Sequence, residues 1–354
     1  MSHRNKPQLA ALVAGLLAGL LVLTGCTSSN GSKDPTGTSS PSPSPSIRAG
    51  VLEAAKAGAD WLAEQLQEDS YLEGKVGESV RKDVGLTMDG LFAFAAAEDW
   101  TTAEAVAAWV SQPGALDDYA SEKDGISYPG AIAKSGLALS LQYVNYPTGI
   151  AAQRDMLAER LLARLQDDGR LTDNSNYADT SNPITQALAV LFLLKQDRLD
   201  GLEADPVAYL VAAACEDGSF PDSFDSPAGC HGSVDATAYV IQALVVLPDQ
   251  EEVLAQAVDW LVNQQTEQGQ WENWEGPSVN STALAVLALG DVSNNGPANI
   301  AVSNGWTALA KWQMANGGWP ADNLSQEADV RATTQAVQGT AQTSLGVLVG
   351  LKEQ

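Results

Sequence analysis

A two-helix unit with an aromatic turn recurs along this chain and limits the folds open to it. In the clearest copy, residues 256–290, Trp260 is followed by Gly269 and Trp271 and then by a second helix, ALAVLAL. The first helix places Trp260 and Leu261 on one face, as an amphipathic helix requires. The second is apolar almost all round, which predicts burial on most sides. Such a unit cannot bury both helices alone, so neighbouring units must cover each other.

The same offsets between helix, glycine and aromatic or apolar residue return elsewhere. Copies occur at Tyr209, Gly218 and Phe220, at Arg160, Gly169 and Leu171, and at Ala308, Gly317 and Trp319, with a degenerate copy at Trp61, Ser70 and Leu72 and a weak one around Trp109. An apolar helix follows each turn, and these helices align on Asp89, Ser135, Thr185, Thr237, Thr282 and Thr343. The pattern predicts six helical hairpins closed into a ring, with an open helical solenoid as the alternative.

The turns carry a family resemblance. The segments Gln264…Gln268-Gly269-Gln270-Trp271 and Gln313…Gly317-Gly318-Trp319 resemble the QW-type repeats of the terpenoid cyclase and protein prenyltransferase superfamily. The resemblance covers roughly residues 50–354 and implies an all-α (α/α)6 toroid, with six inner helices ringed by six outer ones. We expect the repeat Gln and Trp to be structural, since an indole packs the turn and an amide satisfies backbone groups at helix ends.

The N-terminus predicts export and lipidation. Residues 1–25 combine a basic start with a short apolar core, as in a secretory signal peptide. The sequence Leu23-Thr24-Gly25-Cys26 resembles the lipobox of bacterial lipoproteins, which implies that Cys26 becomes the lipid-bearing N-terminus. Residues 26–46 are rich in Ser, Thr and Pro and predict an extended tether, followed by the toroid domain at 47–354. We therefore expect a lipid-anchored protein on the extracytoplasmic face of the cell membrane.

The two remaining cysteines support export. Cys215 and Cys230 flank a loop rich in Gly, Pro and Asp, and outside the cytoplasm such a pair predicts a disulfide. A metal site is the alternative, but the mature chain has one histidine, His231. No metal is expected.

Charge excludes one class of partner. Without residues 1–25 the chain keeps 17 basic and 44 acidic residues, a formal charge of −27. Nucleic acids and anionic membrane surfaces would repel such a domain. We therefore expect no nucleic-acid partner, and membrane association through the lipid.

The catalytic motifs of the resembled superfamily do not carry over. Class II cyclases protonate with Asp-x-Asp-Asp, whereas the pairs Asp117-Asp118 and Asp167-Asp168 lack the preceding Asp. The Asp-Asp-x-x-Asp motif of class I cyclases fails at Ser121 and Leu171. The zinc ligands of prenyltransferases and the thioester motif of complement-type toroids have no match. Whether the chain is an enzyme is left open.

The loops before the inner helices should gather at one mouth of the ring. They bring a mixture of aromatic, amide and charged side chains to a candidate ligand rim: Tyr128, Asn176, Tyr177, Asp179, Phe224, His231, Asp235, Trp274, Asn280, Asp329 and Arg331. Such a mixture suits a polar ligand with flat or apolar parts. The simpler interpretations are that Asp235 and Asn280 are helix caps, within an Asn280–Thr282 cap region, and that Arg331 pairs with Asp329 or Glu327.

Three functions remain as hypotheses. We favour a membrane-anchored ligand-binding or interaction protein. Because the toroid also resembles the α-domain of cobalamin carriers of the transcobalamin and intrinsic-factor type, cobalamin is a candidate ligand; no other cofactor is expected. The alternative is an enzyme, either a glycan hydrolase or lyase or a divergent terpene-cyclase-like enzyme, using carboxylates at the mouth. A structural envelope protein would instead have a filled ring and a large exposed apolar patch.

Overall fold

The computed structural model describes residues 45–77, 79–120, 126–226, 229–292 and 295–353. The signal peptide, Cys26 and nearly all of the tether lie outside these residues. The helices are α1 (Pro45–Ala63), α2 (Val84–Ala96), α3 (Trp100–Val110), α4 (Pro113–Ala120), α5 (Pro129–Ala138), α6 (Ile150–Leu162), α7 (Pro183–Lys195), α8 (Pro206–Ala212), α9 (Val234–Leu244), α10 (Glu251–Asn263), α11 (Val279–Gly290), α12 (Gly296–Trp312), α13 (Val330–Ala341) and α14 (Leu345–Leu348). Across this part of the chain, no helix has the length and apolarity that a membrane span requires.

Two short antiparallel hairpins lie in the loops. One joins β1 (Glu73–Val76) to β2 (Ser79–Lys82), with Glu73 opposite Lys82. The other joins β3 (Glu272–Asn273) to β4 (Gly276–Pro277), with Glu272 opposite Pro277.

The helices form a closed double ring. Helices α2, α5, α7, α9, α11 and α13 each pack on the next, and α13 packs back on α2. Outside them lie α1, α3, α6, α8, α10 and α12, with α1 against both α13 and α2 where the ring closes. The predicted all-α (α/α)6 toroid is therefore confirmed, and the open solenoid is excluded.

The sixth inner helix differs from the prediction. It is α13, whereas Thr343 lies after it, beyond Gln342 in the left-handed conformation (φ 54°). The prediction located inner helices by their apolar residues, and it missed α13 because the sequence VRATTQAVQGTA is polar. Most of this helix is nevertheless buried. Its hydroxyls are satisfied within the helix: Thr340 Oγ1 donates to the Ala336 carbonyl at 2.7 Å and Thr334 Oγ1 to that of Arg331 at 2.7 Å. Buried polar groups that are paired in this way are tolerated.

Five of the turns are tied to the following inner helix by a side chain of that helix. The backbone N–H of Trp271 donates to Thr282 Oγ1 at 3.0 Å, and that of Trp319 donates to Thr333 Oγ1 at 2.9 Å. The cap of α11 is Ser278, whose Oγ accepts from the Ser281 N–H, so the Asn280–Thr282 cap prediction was wrong by two residues. Thr282 holds the turn instead.

The repeat tryptophans and glutamines are structural, as expected. Trp271 and Trp319 are fully buried, and their indoles donate to the carbonyls of Leu261 and Leu309, each at 2.8 Å. Gln313 Nε2 donates to the Ala54 and Gly317 carbonyls. In the preceding repeat this role falls to Gln265 rather than Gln264, because Gln265 Nε2 reaches the carbonyls of Gly269 and Ala301.

The predicted disulfide is confirmed. Cys215 and Cys230 are bonded, with their Cα atoms 5.6 Å apart. Arg170 ties the loop to its neighbour, since its guanidinium pairs with Asp179 at 2.9 Å and with Asp225 at 2.8 Å.

Candidate ligand cavity at the centre of the toroid

The six inner helices surround a central cavity of about 160 Å³. Half of its lining is apolar: Phe92, Ile184, Leu188, Leu284, Leu287 and Leu345. The other half carries polar groups: Asp89, Lys134, Tyr239, Gln242, Gln335 and Gln338. Helical spacing explains the set, since pairs such as Tyr239 and Gln242 lie three residues apart and so share one face of their helix. Five inner helices therefore present a stripe of two such residues to the centre, and α5 presents Lys134.

One end of the cavity is closed by the C-terminal segment. Leu345 of α14 lines the cavity, and α14 packs on α2 and α9. The segment is held by the Gln142 N–H, which donates to the Leu348 carbonyl at 2.8 Å, and by Lys352, whose Nζ lies 3.1 Å from Asp291 Oδ1. Burial raises the pKa of the Asp291 carboxyl, with Ser344 and Lys352 opposing that shift. We call this end the floor.

A charge cluster lies toward the opposite end, in the first two turns of α2, α5 and α13. Lys134 Nζ is 2.6 Å from Asp89 Oδ1, and Asp89 is 7% exposed. Arg331 approaches Asp89 at 3.6 Å and Asp83 at 3.5 Å. Burial by itself would lower the pKa of the Lys134 ammonium, but Asp89 and Tyr119 outweigh it, so that pKa is raised. The Lys134 ammonium therefore keeps its charge at neutral pH.

Two buried phenols accompany the cluster. Burial is the main cause that raises the pKa of Tyr119, with Lys134 opposing it. Burial also raises the pKa of Tyr239, and the carboxylates of Asp89 and Asp235 add to the shift. Both phenols stay protonated at neutral pH and can donate hydrogen bonds.

Asp235 is a further acidic group at this end. Burial raises its pKa, and the neighbouring Ser281 hydroxyl opposes the shift. Among the described residues, neither Asp235 Oδ1 nor Ser281 Oγ makes a hydrogen bond of good geometry. Burial therefore disfavours the charged form of Asp235 relative to an exposed carboxyl.

The structure separates the predicted rim residues into two groups. Asp235, Asn280 and Arg331 lie in the first turns of α9, α11 and α13, on the stripes that continue into the cavity lining. The others lie on loops or caps outside the cavity lining: Tyr128 is the N-cap of α5, Asp329 is the N-cap of α13, Tyr177, Trp274, Asn176 and His231 are exposed, and Asp179 and Phe224 surround Arg170.

The simpler interpretations of three rim residues were wrong. The caps of α9 and α11 are Ser233 and Ser278, not Asp235 and Asn280. Arg331 pairs with Asp83 and Asp89 on the neighbouring helix α2 and its N-cap, whereas the Asp329 carboxylate caps α13.

Sequence reasoning missed most of the cavity lining. Lys134, Tyr239, Gln242, Gln335 and Gln338 were not singled out. The available signal was a polar residue inside an otherwise apolar helix, such as Lys134 in AIAKSGLALSL. Within the described ranges, no cluster of three or more His, Cys, Asp or Glu side chains is arranged to hold a metal ion.

Comparison with known proteins extends these observations. No family model matches the chain. A drimenyl diphosphate synthase of Streptomyces showdoensis is 30% identical over 207 residues, which is 54% of this chain but only 37% of that protein.

Solved structures match more of the chain at low identity. A type II terpene cyclase from Scytonema, in complex with geranylgeranyl dihydroxybenzoate, has a TM-score of 0.62 at 14% identity, over 87% of this chain and 99% of that one. An α-1,6-mannanase of Salegentibacter has a TM-score of 0.61 at 11% identity, over 85% and 100% of the two chains. An unsaturated glucuronyl hydrolase of Streptococcus agalactiae has a TM-score of 0.57 at 12% identity, over 85% and 93%. The chain therefore has the terpenoid-cyclase-like (α/α) toroid fold, an architecture it shares with these glycan hydrolases.

Proposed function

We propose that this chain is a lipid-anchored, extracytoplasmic binding protein that holds a compact, largely apolar ligand at the centre of its toroid. The observation that supports this most is the central cavity, with five apolar side chains on its walls and a floor closed by Leu345. Concave, mostly apolar cavities with a few placed polar groups are the usual form of small-molecule sites.

The size of the cavity restricts the ligand. Its volume of about 160 Å³ is below the roughly 300 Å³ at which pockets for drug-sized ligands begin. A corrin is larger still, so the cavity lends no support to cobalamin. A rigid ligand of about ten carbon atoms is the better match.

The carboxylates favour binding over glycan hydrolysis. Hydrolysis of a glycosidic bond requires two carboxyl groups that face each other across the substrate. Of the described residues that line the cavity, Asp89 alone carries a carboxylate, and Lys134 and Arg331 both neutralise it. The activities of the mannanase and the glucuronyl hydrolase are therefore not carried over to this chain.

Filling the cavity should abolish binding. We use camphor and bornane as probes, since they share one compact skeleton and differ by a carbonyl. In Leu284→Trp the indole should occupy the space lined by the 5% exposed Leu284, and we expect both probes to bind at least tenfold more weakly. Ligand-observed NMR measures the affinities, and thermal unfolding verifies that the variant is folded.

The matched control adds the same indole outside the ring. Ile300 on α12 is 58% exposed, so Ile300→Trp should leave both affinities unchanged. If Leu284→Trp is folded and binds both probes as wild type does, the central cavity is not their site and the proposal fails. Absence of binding to the wild-type protein contradicts it equally.

The lipid anchor is tested at Cys26. A multiply acylated cysteine holds a protein firmly on a bilayer, whereas an unmodified tether does not. In Cys26→Ser we expect the protein to move from the membrane fraction to the soluble fraction and to lose labelling by a radioactive fatty acid. Ser28→Ala, two residues away in the tether, should stay in the membrane fraction. Equal membrane retention of Cys26→Ser and wild type would contradict the anchor.

A further inference from the structure

The amide of Gln242 has a defined orientation at the floor of the cavity. Gln242 is fully buried in the last turn of α9 and lines the cavity. Its Oε1 accepts a hydrogen bond from the backbone N–H of Leu345 at 3.4 Å. Because a backbone N–H can only donate, the amide oxygen must face α14 and the NH₂ group must face away from it.

The NH₂ group of Gln242 lacks an acceptor. Nε2 has no hydrogen-bond partner among the described residues. Leaving a buried donor unpaired forfeits its hydration without replacement, so buried amides in folded proteins are almost always satisfied. The neighbouring Gln338 differs, since its Nε2 donates to the Thr334 carbonyl at 3.2 Å. The vacant donor at the floor is therefore the one on Gln242.

The surroundings restrict what can satisfy this donor. Phe92, Leu287 and Leu345 supply apolar surface to the same cavity. The charges of Asp89 and Lys134 lie one helical turn nearer the other end and are paired with each other at 2.6 Å. An acceptor that reaches Gln242 must arrive on a mostly apolar molecule. An ionised group would lack a counter-charge there and would lose its hydration.

We infer that Gln242 Nε2 donates a hydrogen bond to an oxygen on the end of the ligand that enters first. The cavity thus selects a compact oxygenated molecule, such as a ketone, ether or alcohol, over a hydrocarbon of the same shape. This inference rests on the proposed function and specifies its ligand class. The discrimination arises because the hydrocarbon leaves the Gln242 donor unpaired, whereas the oxygenated molecule pairs it.

The test compares the two probes in one protein. We expect the wild-type protein to bind camphor about tenfold more tightly than bornane, as one neutral hydrogen bond allows. In Gln242→Met, which keeps the length of the side chain and removes the donor, the two affinities should become equal. Gln326→Met is the matched control. It makes the same substitution at an exposed, paired amide outside the cavity lining and should keep the preference for camphor.

A second measurement does not depend on the variant being folded. In ¹⁵N-labelled wild-type protein, the side-chain NH₂ resonances of Gln242 should shift on adding camphor and much less on adding bornane. These resonances are assigned by comparison with Gln242→Met or by through-bond NMR experiments.

The outcomes separate this inference from the proposal beneath it. Equal binding of both probes to wild type, or a preference that persists in Gln242→Met, overturns the role of Gln242 and leaves the binding cavity standing. If camphor binds but the Gln242 side-chain resonances do not shift, the role of Gln242 is also overturned. In that case water alone satisfies this donor. Failure of both probes to bind wild type overturns the proposed function, and the inference with it.

Discussion

Replacing Gly317 by alanine is expected to lower the free energy of unfolding by about 4 kcal/mol. Gly317 has a φ of +92°, in the left-handed region that costs other residues about 1–2 kcal/mol. An added Cβ would also lie 2.4 Å from the carbonyl oxygen of Ala57 on α1. Because that oxygen belongs to the backbone, the contact can be relieved only if α1 moves away from the turn at the point where the ring closes.

The chain contains a matched control for the backbone conformation. Gly149 has a φ of +91°, but nothing lies within 4 Å of an added Cβ. Gly149→Ala should therefore lower the free energy of unfolding only by the cost of the left-handed conformation, about 1–2 kcal/mol. Urea unfolding followed by circular dichroism, with the disulfide intact, measures both variants. If both variants lose the same free energy of unfolding, the close approach of α1 to Gly317 does not contribute to the cost of Gly317→Ala.

The second large effect is expected at Lys134. In Lys134→Met the carboxylate of Asp89, at 7% exposure, loses its 2.6 Å partner. Breaking a buried ion pair by removing one charge costs about 3–5 kcal/mol because the remaining charge is desolvated and unpaired. Arg331 stays 3.6 Å from Asp89 and compensates in part, so we expect a loss of about 3 kcal/mol in the free energy of unfolding.

A double-mutant cycle distinguishes loss of the pair from loss of packing. In Asp89→Leu/Lys134→Met both charges are gone, and stability should return to within about 1 kcal/mol of wild type. The exposed pair of Lys56 and Asp60, 3.2 Å apart, is the control. Lys56→Met should change stability by less than about 0.5 kcal/mol. If the double variant is as unstable as Lys134→Met, packing of the lysine stem rather than its charge stabilises the mouth.

The repeat turns were predictable because their signal is local. Trp271 follows Gly269 by two residues, and the helix that buries it begins within ten residues. One short stretch of sequence therefore contains the glycine, the tryptophan and the helix that covers it. The disulfide was predictable for the same reason, since one loop separates Cys215 from Cys230. Helix α13 was missed because periodicity counts apolar residues, and threonine and glutamine can be buried once their hydrogen bonds are made within the helix.

By itself the sequence determined that six two-helix units must cover each other's apolar faces, because that requirement follows from the pattern within each unit. Only the tertiary structure decided what lies at the centre. Lys134 meets Asp89 from another helix, Arg331 of the last inner helix reaches the first, and Leu345 closes the floor beneath Gln242. These contacts join residues from 45 to more than 200 positions apart, and they exist only because the ring closes. A short-range sequence pattern does not predict which side chains face the centre of a closed ring.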